Sequence, residues 1–476
     1  MSFFSLFTRA AALVCPCLAL AACALAPVYE RPDMPVPSSF NAGMAGSFSP
    51  LPEWQAFFKD PTLHRLIVLA LQNNRNLRAI VENVDRVRAQ YHIQRADILP
   101  TVSADARSDN QSLPADLSGV GRRYIVRQQQ AGVGVTNFEL DLWGRLRSLS
   151  EAALETFYSA ENDAASARMA LISEIAAVYL QLVADRELLD ITRATYKNRK
   201  NQHDLVRNKF AAGVASRLEV SQARGIMEEA RSNVARYSTR VGQDENLLVL
   251  LLGSPLPADL PEVRRLNGIS SLADVPEGLP SSLLERRPDI QAAEHRLKAA
   301  NANIGAARAN FFPSIRLTSA FGSISADASR LFEGGAGFWS FMPSVTIPLF
   351  DTGRNIALLE VSEAELRIAA AEYEKTIQTA FREVADALVQ RRYIGEQLDA
   401  DGSLLKSAAT TYNLASTRYE AGVDSYLNVL DAQRSLYAAQ QGFIATRLQR
   451  ENTALTLFKA LGGGWMAPLA TSASTR

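Results

Sequence analysis

The chain of 476 residues carries 50 basic and 50 acidic side chains, so its formal net charge at neutral pH is zero. This balance gives no basic excess, and we expect no nucleic-acid partner. The four histidines are not spaced as a metal cluster, and no common nucleotide-binding, metalloprotease or serine-hydrolase motif occurs. We therefore expect a protein that is not an enzyme and that has no catalytic residue, metal or cofactor.

Residues 1–22 have the pattern of an export signal. Arg9 precedes an apolar run that is too short to span a membrane as a mature helix, and small residues follow the run. The sequence Leu-Ala-Ala-Cys at 20–23 resembles a bacterial lipobox, which implies cleavage before Cys23 and acylation of Cys23. An ordinary secretory signal with an incidental cysteine is the alternative. All three cysteines lie in this region, so we expect a mature chain without disulfides.

The segment that follows is rich in proline, serine and glycine, and we predict an irregular, extended tether. Asp60 before Pro61 predicts the start of the first long helical region, with Asp60 as the N-cap. From there to Leu99 the apolar residues recur at helical spacing, and Pro100 ends the pattern.

A short stretch occurs twice, as FAAGVASRLEVSQA at 210–223 and as YEAGVDSYLNVLDA at 419–432, at a constant offset of 209 residues. In each copy a glycine interrupts a long helical pattern, as expected where a helix ends in a left-handed residue. A serine follows as the candidate N-cap of the next helix. The glycines are Gly213 and Gly422, and the serines are Ser216 and Ser425. Each copy predicts the turn of a helical hairpin.

The surrounding pattern is duplicated as well, which predicts two repeats of helix, β-hairpin, long helix and helix. Each long helix carries an apolar seam at coiled-coil spacing. The seams are Leu171, Ile175, Val178 and Leu182, and then Tyr373, Ile377, Phe381, Val384 and Leu388. The predicted division is signal 1–22, acylated tether 23–53, first repeat 54–255, Pro-rich connector 256–280, second repeat 281–463 and C-terminal tail 464–476.

Four segments alternate between apolar and polar residues and predict four strands, two in each repeat. Amphipathic strands of about ten residues in an exported chain suggest a transmembrane β-barrel, and the smallest barrels need about eight strands. One chain cannot close such a barrel, whereas two copies give eight strands and three give twelve. A soluble α+β protein with small hairpins is the alternative.

Several motifs occur in a fixed order: PVYERP, WQAFFKDPTL, FELDLWGRLRS, LLERRPDIQAAEHRLKAANANIGAARANFFPSI, YEAGVDSYLNVLDAQRSLYAAQ and FKALGGGW. Together they resemble the outer-membrane factors of tripartite efflux pumps, in the OprM-type (NodT lipoprotein) branch of the TolC-like superfamily. The resemblance implies a mostly α fold with a small β part, in which a homotrimer forms a twelve-stranded barrel continuous with a periplasmic α-helical barrel. It implies as partners outer-membrane lipid, a periplasmic adaptor protein and an inner-membrane transporter of the resistance-nodulation-division class.

The same resemblance places a periplasmic gate at Leu427 and Asp431, whose first-repeat counterparts are Leu218 and Gln222. The alternative for this pair is a core leucine beside a solvated charge. The resemblance also assigns adaptor docking to the two turns, for which simple turn chemistry is the alternative. The docking residues are Gly213, Val214, Ser216 and Arg217, and then Gly422, Val423, Asp424, Ser425 and Tyr426.

We expect an exit duct that passively conducts drugs or other small toxic compounds out of the cell. The alternatives are an outer-membrane component for heavy-metal efflux or type I protein secretion, and a non-channel periplasmic coiled-coil scaffold. The seven methionines form no cluster, which gives no support to a relay for soft metals.

Overall fold

The computed structural model describes residues 25–40, 53–119, 121–261, 263, 265–266 and 281–463. The predicted signal, Cys23 and the C-terminal tail lie outside the described residues. The described chain divides into two compact units. The first contains the residues up to Asp33 together with Asn83–Glu161 and Ala292–Glu374, and the second contains Met34–Glu82, Asn162–Gln291 and the chain from Lys375 onward.

The helices of the two repeats have matching bounds. In the first repeat they are α1 (Trp54–Phe57), α2 (Pro61–Asn73), α3 (Arg75–Ala96), α4 (Arg145–Ala211) and α5 (Arg217–Leu252). In the second repeat they are α6 (Pro288–Ala309), α7 (Arg354–Glu420) and α8 (Tyr426–Ala460). The helices α4 and α7 have 67 residues each, and both of their ends differ by the offset of 209. At about 1.5 Å per residue each would be roughly 100 Å long if straight.

The helical region predicted from Asp60 to Leu99 is interrupted at Asn74, and this part of the prediction is wrong. Asp60 caps α2 as predicted, because its Oδ1 accepts hydrogen bonds from the backbone of Thr62 and Leu63 at 2.7 and 3.2 Å. Asn74 has an extended ψ of 124° and separates α2 from α3. Its Oδ1 accepts from the Leu77 amide, and its Nδ2 donates to the carbonyl of Leu251 at 2.7 Å. A short polar side chain thus competes with the helix for backbone partners.

The four predicted strands form one antiparallel sheet in the order β1-β2-β3-β4. Their bounds are Val102–Leu113, Tyr124–Leu140, Ser314–Ser325 and Gly337–Thr346. The sequence FWSFMPSVTIPLF at 338–350 predicts a longer last strand, whereas β4 ends at Thr346. The register between β2 and β3 shifts between Val135 and Phe138, where Asn137 has a φ of +59°.

The pairing register sorts the side chains of the sheet onto two unlike faces. One face carries most of the large apolar side chains and is largely exposed, with Phe321 69% and Trp339 73% exposed, and toward the β1–β2 turn it also carries Ser108, Asn110, Arg127 and Gln129. It carries Val102, Val133, Val135, Leu140, Ile315, Leu317, Phe321, Trp339, Phe341 and Val345. The other face is polar and carries Ser103, Asp105, Arg107, Gln130, Glu139, Arg316 and Ser344. An exposed apolar sheet face of this extent argues against a water-soluble hairpin protein.

The core of the second unit is apolar and is built from α1, α2, α4, α5 and α8. The rings of Phe57 and Phe458 stack at 4.1 Å between centroids. The predicted seam of α4 lies in this core, with Val178 partly buried. In the seam of α7, Phe381 and Leu388 are half-buried and the other three residues are buried. One helix, α4, contains an apolar window long enough to cross a membrane, but 61% of that window is buried within the chain, as in a core helix.

Residues 25–31, here called the N-terminal strap, lie antiparallel along α6 in the first unit. Arg308 donates to the carbonyl of Leu25 at 3.3 Å, and Asn301 donates to the carbonyl of Pro27 at 2.8 Å. Arg31 forms a bidentate ion pair with Glu294 at 3.2 and 2.7 Å. The strap is therefore held along a helix whose residues follow it by more than 260 positions in the sequence.

A buried acidic pair joins α4 to α5 in the second unit. The side chain of Asp185 is 2% exposed, accepts a hydrogen bond from Gln181 at 2.9 Å and lies 3.9 Å from Arg240. Burial, and then the neighbouring Asp185 carboxylate, raise the pKa of Asp244 to about 6. The ordinary pKa of aspartate is about 3.9, so the folded state binds this proton more tightly than the unfolded state.

Stability should therefore fall as pH rises from about 4 to about 6 and stay lower above that range, as far as this group is concerned. We expect Asp244→Asn to raise the melting temperature of the detergent-solubilised protein at pH 7.5 by about 2 °C, and to raise it less at pH 5. Circular dichroism melts at the two pH values measure this. The Asp204→Asn variant, at a half-buried aspartate elsewhere on α4, is the control, and an equal effect of both variants would contradict the prediction.

Candidate functional site: the two helical turns

The two predicted helical turns have the same backbone geometry. Gly213 has a φ of +76° and Gly422 a φ of +74°, so both are left-handed as predicted. In each turn the next amide closes the helix end, because Val214 donates to the Lys209 carbonyl and Val423 donates to the Arg418 carbonyl, both at 2.9 Å. A Cβ atom at either glycine would meet open space, so the backbone conformation alone requires glycine.

The two N-caps differ. Ser216 forms a capping box, because its Oγ accepts from the amide of Glu219 at 3.2 Å and its own amide donates to Glu219 at 2.6 Å. Ser425 occupies the N-cap of α8 as predicted, but its side chain makes no capping hydrogen bond. The residue that corresponds to Glu219 is Asn428, which lacks the carboxylate of a capping box.

An ion pair holds the second turn instead. Nε of Arg418 donates to Asp424 at 2.6 Å, which lowers the pKa of that carboxylate. The two turns also contact each other, since the ammonium group of Lys209 lies 4.5 Å from the ring centroid of Tyr419. Neither contact was predicted from the sequence. The one available signal was the aromatic residue three positions before each glycine, Phe210 in the first copy and Tyr419 in the second.

Most predicted docking residues are on the surface. Val214 is 74% exposed and Val423 is 64% exposed, and the two glycines, Ser216, Arg217 and Ser425 are also exposed. Asp424 is half-buried in its ion pair. Tyr426 is 5% exposed and packs beneath the turns, where burial raises its pKa to about 12. Its cluster contains Val206, Ala223, Ile226, Val429 and Leu430.

The predicted gate residues lie one helical turn apart on an exposed face of α8. Leu427 is 63% exposed, so it does not belong to the core of the chain. Asp431 is exposed as well, and it makes no ion pair among the residues that the structure describes. In the first repeat, Leu218 is similarly exposed at 67%, whereas Gln222 is half-buried and uncharged. The two hairpins therefore present different chemistry on the corresponding face.

A set of polar contacts between α4 and α8 was not predicted from the sequence. Thr192 and Tyr437 are hydrogen-bonded at 2.8 Å, and Gln433 donates to Gln202 at 3.2 Å beside a cavity of about 150 Å³. Arg199, 3% exposed, donates to the carbonyl of Ile226, and its burial lowers its pKa. These residues interrupt an otherwise apolar helix contact.

Comparison with known proteins decides the family. The family model described as outer membrane efflux protein matches residues 66–254 and 279–463, which is most of the chain and covers both repeats. The chain belongs to the outer membrane efflux protein family. The resemblance drawn from the sequence motifs is thereby confirmed.

Members of the outer membrane efflux protein family resemble the chain over nearly its whole length. The antibiotic efflux pump outer membrane protein ArpC of Pseudomonas putida is 47% identical over 455 residues, which cover 94% of this chain and 93% of that protein. The toluene efflux pump outer membrane protein TtgC of the same species has the same identity and coverage. The crystal structure of the open state of the MtrE outer membrane channel of Neisseria gonorrhoeae superposes with a TM-score of 0.85 at 36% identity, covering 93% of this chain and 98% of that one.

This outer membrane efflux protein is thus a TolC-like, mostly helical protein with a small β part and an internal duplication. It is an outer-membrane channel of an efflux system, as its family and relatives are. The predicted function and location are confirmed to this extent. The alternative of a non-channel periplasmic scaffold is set aside.

Proposed function

We propose that three copies of this chain form the exit duct of a tripartite efflux system of the resistance-nodulation-division type. The observation that carries the proposal is the four-stranded sheet with an exposed apolar face. Its outer strands, β1 and β4, each leave one edge unpaired in the described chain. An open edge cannot face lipid, so β4 of one copy pairs with β1 of the next. Three copies give the twelve strands that the family resemblance implies.

Disulfide cross-linking tests this closure. Ser103 of β1 and Ser340, Met342 and Ser344 of β4 lie on the polar face of the sheet. We expect Ser103→Cys, combined with a cysteine at one of the three β4 positions, to give a covalent trimer on a non-reducing gel after mild oxidation. Both cysteines must occupy facing positions for this.

The cross-linking experiment has a clean background. The only natural cysteines are Cys15, Cys17 and Cys23, all in or at the edge of the signal. The single variant Ser103→Cys is the control and should give no covalent trimer. Monomers alone at all three β4 positions, in protein that sits in the outer membrane, would contradict the proposed closure.

Within this duct, Leu427 and Asp431 form the periplasmic gate and the two turns dock the adaptor. The exposure of Leu427 supports the gate, because an apolar side chain exposed in one chain is covered when three copies meet. The exposed valines of both turns support docking in the same way. The duct itself conducts passively, and the inner-membrane pump supplies the energy for transport. Drugs and other small toxic compounds are the proposed cargo, since the relatives are named for antibiotic and toluene efflux.

We further propose that Cys23 carries the lipid anchor. The N-terminal strap supports this assignment, because Leu25 is bonded to Arg308, one residue before α6 ends, and β3 begins at Ser314. Two residues of extended chain span at most about 7 Å. An acyl chain on Cys23 therefore starts close to the level at which β3 enters the membrane.

Metabolic labelling tests the lipid anchor. We expect the wild-type protein to incorporate labelled palmitate and the Cys23→Ala variant to incorporate none, because the lipid is attached at Cys23. The Cys17→Ala variant, which alters the signal but not the acceptor, is the control and should keep the label. Equal labelling of Cys23→Ala and wild type would contradict the assignment.

A further inference from the structure

Three arginines form a row along an exposed face of α5, here called the arginine row: Arg217, Arg224 and Arg231. They are seven residues apart, and seven residues are close to two helical turns. The row therefore stays on one face and extends for about 21 Å from the first turn. All three side chains are exposed. The opposite face of α5 carries the buried residues Ala223, Ile226, Ala230 and Tyr237.

Two of the three charges of the arginine row have no ionic partner among the described residues. Arg231 pairs with Glu228 at 3.0 Å, and because Arg231 is exposed and Glu228 only half-buried, this surface pair contributes little to stability. Arg217 and Arg224 form no hydrogen bond or ion pair in the part of the chain that the structure describes. Arg217 is also the first residue of α5, where the helix dipole disfavours a positive charge. Helix stability does not account for these arginines.

The row belongs to the first repeat alone. At the offset of 209 the corresponding residues of α8 are Tyr426, Gln433 and Gln440, none of which is charged. Tyr426 and Gln433 are buried, so α5 exposes a charged face whose counterpart on α8 packs within the chain. A partner that requires positive charge would distinguish α5 from α8.

We propose that the arginine row docks an acidic helix of the periplasmic partner, laid along α5 with carboxylates about seven residues apart. The proposal rests on the proposed docking at the turns, because the row begins with Arg217 at the first turn and continues that surface. Two helices that pack lengthwise meet at heptad spacing, and charges beside the contact select the partner. Near the second turn, the described residues offer no such row to a second copy. Asp424 is held by Arg418, while Glu420 and Asp431 lie on different helices.

Binding of defined peptides tests the inference. The probes are a four-heptad helical peptide with glutamate at one exposed position of each heptad, and the same peptide with lysine there. The detergent-solubilised wild-type trimer should bind the glutamate peptide at low salt, and salt should weaken the binding. The variant Arg224→Glu with Arg231→Glu, both outside the turn, should bind it roughly tenfold more weakly and should now prefer the lysine peptide.

The first hairpin offers a matched control. Arg193 and Lys197 of α4 are exposed and unpaired among the described residues, and Arg193→Glu with Lys197→Glu makes the same change of charge on another helix. This control variant should still prefer the glutamate peptide, as the wild type does. Equal affinity of the wild type for both peptides would overturn the inference. Loss of the trimer in the α5 variant would overturn it too, because the row would then lie between copies.

A cell assay separates this inference from the docking of the turns. In a strain whose drug resistance depends on this channel, the α5 variant should lower resistance while trimer level and single-channel conductance stay as in the wild type. Full resistance in that variant overturns the inference even if substitution at Gly422 abolishes resistance. Full resistance after substitution at Gly422 counts against docking at the turns. In that case the preference of the wild type for the glutamate peptide over the lysine peptide still tests the role of the arginine row.

Discussion

Replacing Leu427 and Asp431 together by alanine is expected to raise the single-channel conductance of the protein in planar bilayers roughly twofold or more. Both side chains are exposed on one face of α8 in the single chain. In the gate that we propose, three copies of each would meet near the trimer axis, where the leucines would narrow the pore and the carboxylates would repel one another and attract cations. The double variant removes both the apolar constriction and the charge. The cation preference of the channel should fall together with the rise in conductance.

The internal duplication supplies the control for the gate. Leu218→Ala with Gln222→Ala makes the corresponding change in the first repeat, where the uncharged Gln222 occupies the position of Asp431. This variant should leave conductance near the wild-type value. If Leu427→Ala with Asp431→Ala conducts like the wild type, the gate lies elsewhere. If both double variants open the channel equally, the two hairpins contribute equally to the constriction and the special role of Asp431 is lost.

Substitution of Gly422 by valine is expected to abolish drug resistance while the level of outer-membrane trimer stays close to normal. With φ at +74°, a β-branched residue here costs about 1–3 kcal/mol, which the turn avoids by changing its backbone conformation. No atom lies near the position of the new Cβ, so the surrounding structure is not displaced. The change is confined to the exposed turn that we propose as a docking surface. Gly213→Val should act in the same direction.

Gly442 is the matched control, because it lies in α8, has open space around its Cβ position and has no positive φ. Gly442→Val should leave both resistance and trimer level unchanged. Minimum inhibitory concentrations and immunoblots of outer-membrane fractions measure the two quantities. A collapse of trimer level in Gly422→Val would mean that the turn is purely structural, and unchanged resistance would remove it from the docking surface.

Local chemistry made much of the fold predictable. The proline-free segments, the glycines at 213 and 422 and the alternating strand segments each determine backbone conformation through neighbouring residues. The constant offset then made each repeat a check on the other. The predictions from sequence failed where a residue distant in the chain determines the local backbone conformation. Asn74 interrupts a helical pattern partly because the carbonyl of Leu251, 177 residues away, accepts its side-chain amide.

The candidate site shows the same contrast between features set by neighbouring residues and features set by distant ones. The positions of both turns follow from the repeated motif, but how each turn is held does not. Ser216 caps α5 with the help of Glu219, whereas Ser425 lacks that help and the Arg418–Asp424 ion pair holds the second turn. The burial of Tyr426 depends on packing between helices from both repeats. The strap contact of Arg31 with Glu294 joins residues that no local pattern connects.

The equal length of α4 and α7 restricts how this protein can change. Both helices have 67 residues and both lead into a turn. One residue inserted into α4 alone would move the first turn about 1.5 Å along the helix and rotate the chain beyond it by about 100°. The two turns would then differ in their position along the helix axis and in the direction that they face. Insertions and deletions in these helices must therefore come in matched pairs, one in each repeat, so each duplicate sets the length of the other.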